Sequence, residues 1–284
     1  MPIVGYEYRY PPRHSSPSWS ADGRIVFRDE GITCVSPEGA AYRDTSLVGI
    51  WILDPATKVR QRLFPDGYTP AFSPSGDAIA FEFSFQIFVL DLNSLSLRQL
   101  TSYGKNFAPA WDPSGEHIYF DSNGGASLLY RPWVINRDGS GLQRVCLDNY
   151  GRTPSVDRLG AIALVQAGVG IVLLDSCTTK PVVTGFNYLG DPEFSPSGDR
   201  ISFSAYRVPN PLAQIWIVDR DGRNLRQLTQ HGGIEPTWSP DGGSIAYVQR
   251  NDRDSSSVQG TLHVLRIDMG TDSSLVAPWP STCP

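Results

Sequence analysis

One phrase, repeated six times, constrains this chain more than any other feature. The copies run PSWSADGRIVF from Pro17, PAFSPSGDAIAF from Pro70, PAWDPSGEHIYF from Pro109, PSVDRLGAIAL from Pro154, PEFSPSGDRISF from Pro192 and PTWSPDGGSIAY from Pro236. The prolines are spaced by 53, 39, 45, 38 and 44 residues, and residues 236–284 hold the last unit. A period of this length, with strand-like patterning inside each unit, belongs to four-stranded propeller blades.

Each phrase has a physical reading. The proline is expected to open a short strand, followed in five copies by an aromatic residue (Trp19, Phe72, Trp111, Phe194, Trp238) that should fill the space between blades. The S-P-[DS]-G step supplies a fixed φ from proline and a positive φ from glycine, which is hairpin chemistry. An alternating apolar strand follows. A third strand reads IWILD, IFVLD, WVIN, IVLLD, IWIVD and LHVLRID, and a short fourth reads RQRLF, LRQLT, LQRVC, PVVT, LRQLT and SLVA. The expected fold is all-β: a six-bladed β-propeller with four antiparallel strands per blade, filling residues 1–284 as one domain. A β-sandwich does not account for six copies in series.

WSPDG (238–242), IWIVDRDG (215–222) and RQLT (98–101 and 226–229) resemble the PD40, or WD40-like, repeats of TolB-like propellers, and the resemblance runs over essentially the whole chain. It implies a bacterial envelope setting and a six-bladed ring. The WD40 signature itself and the sialidase Asp-box are absent. No counterpart of the N-terminal α/β domain of TolB is expected in these residues, so TolB's partners are not expected to transfer directly. Blades of this kind also resemble the propellers of prolyl-oligopeptidase-type enzymes, whose triad sits on a separate α/β domain. No GxSxG elbow occurs here.

In an up-and-down blade the second-to-third-strand loops and the blade-to-blade loops share one end, the top, and the SPDG turns share the bottom. Long top connections are expected at 29–47, 205–213 and 250–260. Function concentrates where loop length is tolerated.

Little chemistry shows itself. Of the four histidines, His117 and His263 fall on strands, while His14 and His231 each stand alone in top-face positions, and no HExxH is present. The NRDG (136–139) and DRDG (219–222) steps lack the third acid and the bidentate glutamate of a calcium loop, and read as turns. No metal, cofactor or catalytic group is expected. A net charge of −5 with no basic run argues against nucleic acid. The longest uncharged apolar run, 160–174, is broken by Gln166, Gly168 and Gly170 and is too short to span a bilayer. The N-terminal MPIVGYEYRY lacks the parts of a signal peptide. The expected location is periplasmic or secreted with a leader absent from this sequence, with the cytoplasm as the alternative, and the expected state is a monomer.

No CxxC occurs among the four cysteines. Cys146 ends a fourth strand near the top and Cys177 follows a third strand near the bottom, so these two are expected to lie too far apart to pair. Cys34 and Cys283 are the candidates to meet where the ring closes. Residues 3–10 alternate and are expected to add a strand at the outer edge of blade 6, beside or in place of 274–277.

Aromatic and basic residues on the top loops remain: Tyr103, Tyr150, Arg152, Tyr188, Arg207 and His231, with Asp191 and Glu235 at the pore mouth. Aromatics and arginine are the usual anchors of binding surfaces. They point to a non-enzymatic scaffold holding a protein, peptide or glycan on the top face. The rival reading is a lactonase- or lyase-like propeller enzyme with its site at the top of the pore, which rests on fold alone.

Overall fold

The computed structural model describes residues 7–10, 14–35, 41–125, 129–146, 152–250 and 260–275. Strand β1 (Glu7–Tyr10) precedes blade 1. That blade runs β2 (His14–Trp19) and β3 (Ile25–Asp29), then an inserted hairpin of β4 (Ile32–Val35) and β5 (Ala41–Asp44), then β6 (Gly49–Leu53) and β7 (Arg60–Phe64). Blade 2 comprises β8 (Tyr68–Phe72), β9 (Ala78–Phe83), β10 (Gln86–Asp91) and β11 (Leu97–Gln99). Blade 3 comprises β12 (Asn106–Trp111), β13 (His117–Ser122), β14 (Arg131–Asn136) and β15 (Gln143–Arg144). Blade 4 comprises β16 (Arg152–Val156), β17 (Ile162–Gln166), β18 (Gly170–Asp175) and β19 (Thr178–Val183). Blade 5 comprises β20 (Tyr188–Phe194), β21 (Arg200–Arg207), β22 (Asn210–Asp219) and β23 (Arg226–Gln227). Blade 6 comprises β24 (Ile234–Trp238), β25 (Ser244–Arg250), β26 (Gly260–Arg266) and β27 (Asp272–Ser274). Each blade is a four-stranded antiparallel sheet in chain order.

The repeated turns form as the sequence requires. In all six, the glycine N–H donates to the carbonyl three residues earlier at 2.8–3.1 Å, with glycine φ between 69° and 86°. The NRDG and DRDG steps are likewise turns, closed by Gly139 and Gly222 at φ 90°.

The core is split into six clusters, one at each joint between neighbouring blades. Phe72, Ile79 and Phe81 pack on Val26, Ile50 and Ile52 at joint 1–2, and Trp111 and Phe120 pack on Ile87 and Val89 at joint 2–3. Joints 3–4, 4–5 and 5–6 follow the same plan around Val156, Phe194 and Trp238. The aromatics of the repeat therefore cement blade to blade, as expected. Arginines lie over four of them: Arg24 over Phe72, Arg137 over Trp111, Arg220 over Phe194 and Arg200 over Trp238.

Four expectations are corrected. The repeat prolines do not open their strands; each first strand begins two to four residues earlier and the proline sits at a bulge in the ladder. A bulge tolerates a residue with no N–H to give. The N-terminal strand does not join blade 6: β1 pairs with β4, making a three-stranded sheet with β5, and blade 6 takes its outer strand from β27. Among the described residues no strand is shared between blade 6 and blade 1. Blade 6 meets blade 1 through side chains, Ala246 and Leu262 against Ile25, Phe27 and Leu53. At 205–213 there is no long loop, because β21 and β22 continue as a hairpin to a turn at 208–209.

The fourth correction concerns the cysteines. Cys146 and Cys177 form a disulfide, with Cα atoms 5.7 Å apart. Top and bottom are defined by the innermost strands, and twist of about 20–25° per strand accumulates across a blade. At the outer edge the end of one blade's fourth strand therefore lies against the next blade's turn between third and fourth strands. Leu100 meets Gly139 and Val182 meets Gly222 in the same way. The proposed Cys34–Cys283 pair falls outside the described side chains.

Candidate functional site

The first strands of all six blades surround a central channel of about 530 Å³. The six repeat prolines line it, with Ser16, Thr69, Ala108, Thr153, Asp191 and Glu235 immediately before them. Those six preceding residues share a left-handed backbone, with φ between 45° and 55°. This conformation is unfavourable for a residue with a side chain, and a following proline adds to the restriction. At three of the six, the blade before holds it in place. Thr153 N–H donates to Asp121 Oδ2 at 2.8 Å, Glu235 N–H to Ser204 Oγ at 3.0 Å, and Ser16 N–H to Glu235 Oε2 at 2.6 Å.

Two predicted residues, Asp191 and Glu235, thus belong to the channel wall. Asp191 Oδ2 accepts from Ser204 Oγ at 2.8 Å, and Ser204 accepts from the Glu235 backbone, so one serine ties both carboxylate-bearing bulges together.

A third acid escapes a reading based on loops. Glu193 stands one residue after the proline, where the other copies have Ser18, Ala71, Ala110, Ser155 and Thr237. In blades 1 and 4 that small residue accepts the N–H of the next blade's aromatic: Ser18 Oγ from Phe72 and Ser155 Oγ from Phe194, both at 3.1 Å. Glu193 Oε1 takes the same role, accepting Trp238 N–H at 3.2 Å and Thr237 Oγ1–H at 3.0 Å. Burial between blades 5 and 6 pushes its carboxyl up to about 8, against the opposing pull of those two donors. Glu193 therefore carries a proton near neutrality. A bulky acid at a position otherwise held by small residues was the signal in the sequence.

Of the remaining predicted residues, Tyr103, Tyr188, Arg207 and His231 lie on the top rim. Tyr188 stacks on Tyr206 with ring centroids 5.7 Å apart, and Arg207 lies 3.9 Å over Phe186, which packs edge-on to Trp216. Tyr103 is 68% exposed, and its ring covers Gly125, where any side chain would collide with it. His231 is exposed, and its carbonyl accepts from Gln249 Nε2 at 3.4 Å. Tyr150 lies outside the described residues, and of Arg152 only the backbone, at the start of β16, is described. Around these residues the ring contacts include one group of Phe186, Tyr188, Tyr206, Arg207 and Trp216 at blade 5, and another of Phe85, Phe107 and Tyr130 on blades 2 and 3. Nearby, Tyr68 is covered by the buried Arg28 guanidinium at 3.6 Å. Among the described residues, the four exposed aromatics, Tyr68, Phe85, Tyr103 and Tyr188, all sit at the top.

No protein-family model matches the chain. It is 25% identical to the uncharacterized protein Atu1656 of Agrobacterium fabrum, over 85% of this chain and 86% of that one. It is 24% identical to the Tol-Pal system protein TolB of Francisella tularensis subsp. mediasiatica over 76% of this chain, and that match spans 54% of TolB's length. The solved structure of TolB from Acinetobacter baumannii superposes with a TM-score of 0.67 at 14% identity, covering 92% of this chain and 77% of that one. The chain is a TolB-like six-bladed β-propeller. The same fold relates it to the propeller of the trilobed protease from Pyrococcus furiosus, described as having an open velcro topology (TM-score 0.61, 10% identity, 95% and 97% covered). An oligogalacturonate lyase in complex with manganese also matches (TM-score 0.57, 14% identity, 96% and 86% covered). At these identities the structural matches speak for the fold of the TolB-like chain alone. Among its described residues no group of three or more His, Cys, Asp or Glu is arranged to hold a metal, and no helix is long and apolar enough to cross a membrane.

Proposed function

We propose that this TolB-like propeller is a non-enzymatic binding module that holds a protein or peptide partner on its top face. The observation that carries this reading is the placement of the exposed aromatics at that end, beside Arg207 and above the carboxylates of the channel. Aromatic area with a few charge-assisted hydrogen bonds suffices to hold a partner. Asp191 accepts from Ser204 on the second strand of its own blade and Glu235 from the neighbouring bulge at Ser16, which suits a rigid platform. The name of the curated relatives, Tol-Pal system protein, supports a protein partner over a glycan. The disulfide favours a compartment outside the cytoplasm, where such bonds persist. Photo-cross-linking residues placed at Tyr103 and Tyr188 should capture the partner, while one at Leu159 on the opposite face should not; the reverse pattern would invert the functional face.

One observation favours the enzymatic alternative. A carboxyl that keeps its proton near neutrality beside a channel has the makings of a general acid. On that reading Glu193→Gln abolishes an activity that Tyr103→Ala spares.

A further inference from the structure

Two of the joints between blades, on either side of joint 3–4, share one side-chain clasp. At joints 2–3 and 4–5 the turn between the third and fourth strands sends an arginine back to the preceding blade. Arg137 reaches Asp77 at 3.1 Å, and Arg220 reaches Asp157. Each guanidinium also covers the aromatic of its own blade, Trp111 or Phe194. At joint 3–4 both halves of this clasp are gone. Val156 stands in place of the aromatic, and Ser176 stands where blades 3 and 5 have Arg137 and Arg220. The turn is also shorter: Asp175 pairs directly with Thr178, leaving only Ser176 and Cys177, both at positive φ (47° and 62°). That is the geometry of a two-residue hairpin turn, usually filled by Asn-Gly, and it is costly for Ser-Cys. The strained turn brings exposed Cys177 onto buried Cys146, which packs with Val156, Ile162 and Leu174 in the joint's core.

We propose that the Cys146–Cys177 disulfide is a redox-sensitive clasp that replaces the arginine–aromatic clasp at joint 3–4, so that a dithiol reductant loosens this joint selectively. In that step the S–S bond breaks, each sulfur gains an electron and a proton, and the dithiol supplies both pairs as it closes to its own disulfide. Exposure of Cys177 gives the reductant access. Without the bond, the joint retains the aliphatic packing of Val156, Ile162, Leu164, Val172 and Leu174 with Tyr119, and its turn carries Ser176 in place of an arginine.

The test compares hydrogen exchange and thermal melting with and without dithiothreitol. Three proteins are used: the wild type, C146S/C177S, and C34S/C283S, which separates this bond from any effect of the other two cysteines. Reduction should lower the wild-type melting temperature by about 5–10 °C, the scale of a typical disulfide in a chain of this size. The accompanying gain in exchange should fall on β15, β17 and β18 and not on strands of joints 1–2 or 5–6. The C34S/C283S protein should respond like the wild type, and C146S/C177S should start low and ignore the reductant. If C146S/C177S does not fold, reduced C34S/C283S carries the test by itself. Loss of protection spread evenly over the six joints, or an unchanged melt after mass spectrometry shows both thiols freed, overturns the proposal.

Discussion

The backbone N–H of Ser16 reaches Glu235 Oε2 at 2.6 Å, joining residues 219 apart in sequence. This bond crosses the seam where the last blade meets the first, where no described strand is shared between the two. It also continues a relay, because the Glu235 N–H is held by Ser204 and Ser204 is in turn bonded to Asp191. One carboxylate thereby fastens blade 1 to blades 5 and 6. Glu235→Ala leaves the Ser16 N–H without this acceptor, at a cost of about 1–3 kcal/mol. The expected result is a melting temperature lower by several degrees. Glu235→Gln retains an amide oxygen and should lose clearly less. Equal losses in the two variants would show that packing alone closes the seam.

Glu193 makes stability depend on pH in a defined direction. Its ordinary value is 4.5, and in the folded chain it titrates at about 8. Between those values the unfolded chain has released a proton that the folded chain still holds, so the favourable contribution present below pH 4.5 is lost as pH rises through 8. Thermal melts of the wild type and Glu193→Gln should run together below about pH 4.5, separate progressively between about pH 4.5 and 8, and keep a constant gap above that, with the glutamine variant relatively the more stable. Parallel curves across that range would remove burial as the cause.

The sequence disclosed what every blade must solve alone and concealed what neighbouring blades solve together. Prolines, aromatics and SPDG glycines are demanded in each copy by turning and packing, so their repetition gave the six blades directly. The disulfide was missed because top and bottom, correct for β16 and β18 near the axis, lose meaning at the twisted outer edge where Cys146 meets Cys177. Glu193 was passed over because it sits inside a repeat phrase, although its own column holds only small residues elsewhere. The left-handed residues before the prolines were not legible at all. Local preference opposes that conformation, and at Ser16, Thr153 and Glu235 a hydrogen bond from the preceding blade holds it.

The N-terminal strand offers a test of how the ring closes. Among the described strands β1 pairs with β4 alone, in a small sheet separate from the blades. Removing residues 1–10 should therefore leave the main thermal transition within about 2 °C of the wild type, since elements outside the cooperative core unfold locally at little global cost. A fall of many degrees would mean that the N-terminal strand holds the seam together.

The last prediction concerns the top rim, where the structure separates residues that the sequence grouped. Arg207 lies on Phe186 and within 5.9 Å of the Trp216 ring, so it supports blade 5 as well as facing solvent. Replacing it mixes folding with binding. Tyr103 is the better probe, because it is 68% exposed and packs on the backbone at Gly125. Tyr188 is 40% exposed and rests on Tyr206. Together with Tyr103 it samples both rim groups. The double variant Tyr103→Ala/Tyr188→Ala should weaken binding of a top-face partner by at least about 2 kcal/mol, the scale of buried aromatic anchors, or roughly thirtyfold in Kd. Its melting temperature should move far less than that of Arg207→Ala. Titration calorimetry and thermal melts on the three proteins separate the two effects. Binding that survives loss of both tyrosines but fails on substitution of Leu159 would place the partner on the face of the SPDG turns.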